Sequence, residues 1–155
     1  MKYDQPHILI EKALDTHDCV SSLIKLLNNE NTAIEAALNL SEIKDERALP
    51  FLVEKFKENK KIEFAYCLTQ FNCENYLVDL VLMSFDLPLS HQQHMLEIIN
   101  GTYLNKEQLL NVKNIIENKE QNTNNVISMT HKNFMKNLLS IYKLHEKNLK
   151  IKSYI

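Results

Sequence analysis

A hydrophobic triplet recurs along the chain at nearly constant spacing: Leu23/Leu26/Leu27, then Leu49/Leu52/Val53, then Leu77/Leu80/Val81. The steps are 26 and 28 residues (23 to 49, 49 to 77), and Leu109/Val112 continues the series 32 residues later. A second pattern alternates with it, Ala37/Leu40/Ile43 followed 28 residues later by Ala65/Leu68/Phe71, with Met95/Ile98 as a looser third copy. Spacings of three and four residues put each set on one face of a helix. A period of this length indicates stacked helical hairpins, none able to bury its apolar face without the next. The expected architecture is therefore all-α: a short right-handed α-solenoid of about four antiparallel hairpins. It forms one domain over 1–155, with 121–125 a flexible loop and 126–155 a C-terminal capping helix. Such a scaffold favours binding over catalysis.

Composition agrees. One glycine and three prolines among 155 residues leave few tight β-turns, and 45% hydrophobic residues suffice for a continuous core. Eighteen basic against 20 acidic side chains give a net charge of −2, which supplies no general attraction for phosphate backbones. No uncharged apolar run is long enough for a membrane span, and the charged opening MKYDQPHILIEKALD does not read as a signal peptide. Cys19, Cys67 and Cys73 cannot form a complete disulfide framework, which points to a reducing cytoplasm.

Local signals divide the chain into helices. The first is expected over Gln5 to Leu14, and Asp18 caps a second from Val20 to Leu27. Thr32 to Glu42 follows, with Ala36 and Ala37 allowing close approach of a neighbour. Asp45 caps a helix that runs to about Glu58 with Pro50 near its first turn. Ile62 to Phe71 and Glu74 to Phe85 form a pair, the second apolar almost all round: either the most buried helix or one presenting an apolar strip to a partner. Ser90 is expected to cap a helix through Ile99 that stops at Gly101, followed by Asn105 to Glu117 and a final amphipathic helix from Met129 to about Leu149.

Residues 31–58, NTAIEAALNLSEIKDERALPFLVEKFKE, resemble a HEAT-like repeat of the phycobilin-lyase type. The paired alanines, the Leu-x-x-Ile spacing and the Asp-x-Arg-Ala-Leu-Pro-x-Leu entry into the second helix carry the resemblance. The next unit keeps the apolar anchors but replaces that entry with Asn72-Cys73-Glu74-Asn75-Tyr76-Leu77. The stretch from Pro50 to Asn100 is also similar to short helical-repeat immunity proteins of bacterial polymorphic toxin systems, through Phe51 to Phe56, Ala65 to Phe71 and the apolar helix after them.

Catalytic signals are sparse. His91 and His94 lie one helical turn apart with Glu97 on the same face, a spacing open to metal ligation, although solvent-facing or edge-packed histidines are the commoner outcome. Cys67 sits among core-type residues, where a thiol behaves as a small hydrophobe. With Gly101 the sole glycine, no phosphate-cradling loop exists. The lysines between Lys55 and Lys61 read as a solvated helix terminus, and the basic segment from Lys143 to Lys152 reads as a capping helix in preference to a membrane-surface element.

These readings converge on a non-enzymatic protein-binding module without a cofactor. Its partner is another protein, and a cognate toxin neutralised by occlusion is the most specific case; neither nucleic acid nor membrane is expected. If second helices line the concave side, as the HEAT resemblance implies, the candidate contacts are Arg47, Glu54, Lys55 and Glu58. Asp79, Leu82 and Met83 follow in the next repeat, then Asn111 and Asn114. The alternatives are a scaffold or regulatory subunit, or a HEAT-like nucleic-acid glycosylase or chromophore lyase using a carboxylate such as Glu97 or Asp79. A glycosylase would require a basic groove with aromatic residues, in a chain that has no tryptophan.

Overall fold

A computed structural model describes residues 5–102, 105–121 and 129–152. The protein is all-helical among those residues, and its contacts divide it into two compact units, Met1–Asn72 and Cys73–Ile155. Most of the loop expected over 121–125 lies outside the described residues.

The first unit contains α1 (Pro6–Leu14), α2 (Cys19–Leu26), α3 (Ala33–Ile43), α4 (Leu49–Asn59) and α5 (Ile62–Leu68). Pro6 occupies the first turn of α1, where its missing N–H costs nothing. Asp18 caps α2 by accepting from the Ser21 amide at 3.3 Å and the Ser21 hydroxyl at 2.7 Å. Asp45 accepts from the Arg47 amide at 3.0 Å and opens a 3₁₀ turn, Glu46–Ala48, that feeds α4. Successive helices α1, α2 and α3 pack in order, and α5 packs against both α3 and α4. Ala36 and Ala37 on α3 and Phe64, Ala65 and Leu68 on α5 are fully buried, as the small-residue pattern predicts. Thr32 is buried too, and its hydroxyl donates to the Leu26 carbonyl at 2.7 Å, satisfying an acceptor at the end of α2.

In the second unit a 3₁₀ turn, Glu74–Tyr76, leads into α6 (Leu77–Ser84), followed by α7 (Leu89–Gly101), α8 (Lys106–Gln121) and α9 (Met129–Lys152). Helix α6 packs against α7 and α8, and α9 packs against both of those. Leu77, Val81, Phe85, Ile99, Val112, Ile116, Phe134 and Leu138 form the core of this unit. Phe85 and Phe134 meet edge to face, with centroids 4.9 Å apart and planes at 87°. Inside it, Gln92 Nε2 donates to the Ser84 carbonyl at 3.0 Å, and the Ser84 hydroxyl donates to the Leu80 carbonyl.

The recurring triplets are core positions. Leu23, Leu27, Leu49, Leu52, Val53, Leu77, Leu80, Val81, Leu109 and Val112 are all buried, as are Ala37, Leu40, Ala65, Leu68, Met95 and Ile98 of the alternate series. Three positions depart from the pattern: Leu26 and Phe71 are only partly buried, and Ile43 is 40% exposed where α3 ends.

Helix ends depart from the expected residues. Gly101 was expected to act as a permissive stop, yet it is the last residue of α7 and has no positive φ. The left-handed positions are instead filled by Lys44 (φ 59°) and Lys60 (φ 55°), whose amides donate to the Leu40 and Phe56 carbonyls at 2.9 and 2.8 Å. Ser90 is inside α7 and does not cap it. Pro88, with extended ψ, holds the N-cap position, and the Ser90 hydroxyl faces His91 Nδ1 at 3.1 Å. Helix α5 closes at Leu68, three residues before the expected end, and the Thr69 hydroxyl donates back to the Tyr66 carbonyl. Helix α8 runs on to Gln121. Among the described residues no helix is long and apolar enough to cross a membrane.

Candidate interaction surfaces

On α4 the buried face is Leu49, Leu52, Val53 and Phe56, which turns Phe51, Glu54 and Glu58 to solvent. Lys55 pairs with Glu58 at 3.1 Å, and Lys57 with Glu54 at 3.8 Å. Phe51, 50% exposed, is the large apolar group on this face and was not among the expected contacts. Arg47 is also exposed, but its guanidinium is engaged within the unit. It reaches Asp18 at 3.1 and 3.3 Å and Asp45 at 2.9 Å, tying together the N-caps that precede α2 and α4. The Ser21 hydroxyl and the Arg47 guanidinium hold the Asp18 carboxyl down at about 2, and Arg47 likewise lowers Asp45. Arg47 is therefore a structural clasp between Asp18 and Asp45.

The expected contacts of the second unit divide by helix. On α6, Leu82 is 45% exposed and Asp79 is exposed, while Met83 is half-buried. The opposite face, Leu77, Leu80, Val81 and Ser84, is buried. Helix α6 therefore has one buried face, and on the other Leu82 is the exposed large apolar residue beside Asp79. On α8, Asn114 is exposed and Asn111 half-buried, and Leu110 between Leu109 and Asn111 is 55% exposed.

The histidine pair lies on α7. His91 faces Ser90, and His94 Nδ1 lies 3.8 Å from a Glu97 carboxylate oxygen, a charged contact only when the imidazole is protonated. Among the described residues no group of three His, Cys, Asp or Glu side chains is placed to hold a metal ion. Cys67 is buried, and burial pushes its thiol up to about 11 despite the neighbouring Ser41 hydroxyl. Cys73 is buried and Cys19 partly so.

Two concave sites were missed by reading the sequence. In the first unit, α3 and α5 with the turns that follow them line an open concavity of about 320 Å³, with Leu38, Ser41, Glu42 and Lys44 on one side and Tyr66 and Gln70 on the other. In the second, α8 contributes Lys106, Leu109, Leu110 and Lys113, and α9 contributes Tyr142, Glu146, Leu149 and Lys150, around a groove of about 310 Å³. Across the α9 wall the Tyr142 hydroxyl donates to Glu146 Oε2 at 2.7 Å, and Lys150 lies 3.8 Å from Glu146 Oε1. Burial and the carboxylate acceptor push Tyr142 up to about 12, and the Tyr142 hydrogen bond, with Lys150 and Lys113, lowers Glu146. The signal was present within each helix as lysines and leucines at spacings of three and four. Their meeting across the groove depends on tertiary packing.

No family model matches the chain, and neither a curated protein nor a solved structure matches it at a significant level.

Proposed function

We propose that this protein is a non-enzymatic binding module that recognises another protein through outward helix faces of a short HEAT-like array. The observation that carries this reading is Leu82, a large apolar side chain held 45% exposed on a helix whose other face is anchored in a core. A fixed apolar group at a helix surface contributes to association by losing water on contact, with little ordering cost because its backbone is already rigid. Phe51 and Leu110 extend the same argument to α4 and α8.

The repeat reading is supported by burial of most positions in both recurring series and by α5 packing on α3, the helix two before it. Within this class, the most specific role is an immunity protein that occludes a cognate toxin. A preformed surface suits that task, since occlusion needs shape and charge complementarity and no chemistry.

The test is affinity capture of tagged protein from the producing organism's lysate, with Leu82→Asp as control. One stoichiometric protein partner that the variant loses supports the binding module, and a toxin as that partner supports immunity. Capture of nucleic acid or a chromophore with no protein partner refutes the reading.

A further inference from the structure

We propose that the α8/α9 groove is a docking site for an acidic polypeptide segment carrying one large apolar anchor residue. The inference rests on the protein-binding reading and deepens it, by assigning the partner's chemistry at the α8 surface that Leu110 marks.

The groove combines two features. Its floor is apolar, with Leu109 buried and Leu110 55% exposed on α8, facing the partly buried Leu149 on α9. Its rim is cationic. Lys106, Lys113 and Lys150 stand around a single lining carboxylate, Glu146, and Glu117 lies close enough to act on Tyr142. Glu146 is engaged by Tyr142 and Lys150 and interacts with Lys113 as well, so one carboxylate is shared among the lining lysines.

The two walls differ in charge: α8 carries three lysines and three glutamates, and the positive excess belongs to α9. Helix α9 carries six lysines and one glutamate in a chain whose net charge is −2, so positive potential is concentrated on this helix against the balance of the whole chain. A free volume of about 310 Å³ admits one leucine- or phenylalanine-sized side chain with its flanking backbone. Carboxylates on either side of that anchor then reach Lys106 and Lys113.

The geometry favours a polypeptide over the other polyanions. A phosphate backbone has no use for a leucine floor, and the groove has a single aromatic lining residue, Tyr142, half-buried and held to Glu146, where stacking of successive bases needs several open faces. An anionic bilayer would need a continuous apolar face on α9, yet Phe134 and Leu138 are buried in the unit's core and Met135, Ile141, Tyr142 and Leu149 pack against it, leaving Leu144 as the large apolar residue exposed among its described side chains.

Short random peptides displayed on phage are selected against the full chain, and recovered sequences are resynthesised with a fluorescent label and titrated by anisotropy. Enriched peptides should place Asp or Glu on both sides of a Leu, Ile, Met or Phe. The exposed double substitution Lys106→Glu/Lys113→Glu should weaken binding by about tenfold or more, and Leu110→Ser by about fivefold. Both variants should keep the wild-type circular dichroism, because none of the three side chains is in the core. Glu11→Lys, on an exposed position of α1 in the other unit, should leave affinity unchanged.

Failure to enrich any peptide, enrichment of basic peptides, or affinity indifferent to both groove variants overturns the proposal. Displacement of the peptide by a single-stranded oligonucleotide of equal affinity also overturns it, by making the groove a general polyanion site. A lysate partner lost with Leu82→Asp but retained by the groove variants would leave the binding-module reading standing while removing this one.

Discussion

Leu82 and Leu80 lie two residues apart on α6, and substituting each with aspartate tests whether this helix has one buried and one presenting face. Leu80 is 1% exposed and Leu82 is 45% exposed. Complete burial of a leucine is worth about 1.5–3 kcal/mol, so the buried half of Leu82 contributes about 1 kcal/mol. Aspartate adds about 0.5 kcal/mol in helix propensity and, near the C-terminal end of the helix dipole, a further ~0.3–1 kcal/mol. Leu82→Asp should therefore cost about 2 kcal/mol. Leu82→Lys, whose charge suits that end of the helix, should cost about 1 kcal/mol. At Leu80 the cavity alone costs about 2–5 kcal/mol, and a buried carboxylate without a partner adds several more. Leu80→Asp should leave the unit unfolded or nearly so. Urea denaturation followed by far-ultraviolet circular dichroism separates these cases. Equal losses at the two positions would show that Leu82 is a core residue and would remove the observation on which the proposed function rests. The half-buried Met83 is the poorer choice for a binding control, because an aspartate there mixes lost contact with a desolvated charge.

The remaining expectations concern stability and reactivity. Phe134→Ala should destabilise by about 3–5 kcal/mol, and a double-mutant cycle of Phe85→Leu with Phe134→Leu should return a coupling of about 0.5–1.5 kcal/mol for the edge-to-face contact; zero coupling would argue that the rings meet only as bulk apolar surface. Lys44→Gly and Lys60→Gly should each raise stability by up to about 1 kcal/mol by relieving left-handed φ at a side-chain-bearing residue, and thermal melts that fall would refute it. Gly101→Ala should be stabilising by about 0.5–1 kcal/mol, since the position is helical and an added Cβ meets nothing within 4 Å. A small thiol reagent should label Cys19 in the folded protein and reach Cys67 and Cys73 only on unfolding; rapid labelling of three thiols under native conditions contradicts their burial. Asp18, held at about 2 in the folded state against its ordinary 3.8, leaves the unfolded chain binding more protons between those values. Its contribution is present above about pH 4 and lost toward about pH 2, so Asp18→Asn should flatten the acid limb of a stability–pH curve.

How much of this was legible follows from where each signal resides. The triplet series were readable because burial of a helix face is set by spacing along one segment, and Leu52, Leu80 and Leu40 are buried as that spacing requires. The N-caps Asp18 and Asp45 were readable for the same reason, since each acts on an amide two or three residues ahead, whereas Ser90 was not, because Pro88 takes the N-cap position of α7. The role of Arg47 was not, because its second carboxylate comes from 29 residues away. Nor was the α8/α9 groove, which exists only when Lys113 and Leu110 are brought beside Tyr142 and Glu146. Helix stops misled for a different reason. Glycine is the usual left-handed residue, but its advantage over lysine there is about 1 kcal/mol, small enough for packing on either side of the turn to impose the conformation on Lys44 and Lys60.

The charge distribution bears on how the two proposed surfaces divide their work. On α4 the lysines nearest the expected contacts are paired with glutamates one turn away, Lys55 with Glu58 and Lys57 with Glu54, so that face offers little uncompensated charge and its apolar group is Phe51. On the α8/α9 groove the pairing is incomplete and positive charge is in excess. Apolar contact supplies affinity that changes little with salt, whereas an excess of like charge governs encounter rate and fades as ions screen it. A partner using Leu82 or Phe51 should therefore show a dissociation rate nearly independent of ionic strength. A partner engaging Lys106 and Lys113 should show an association rate that falls steeply with added salt. Stopped-flow association and dissociation of one partner at low and high salt would identify the surface in use without a structure of the complex, and a salt-independent association rate would exclude the groove.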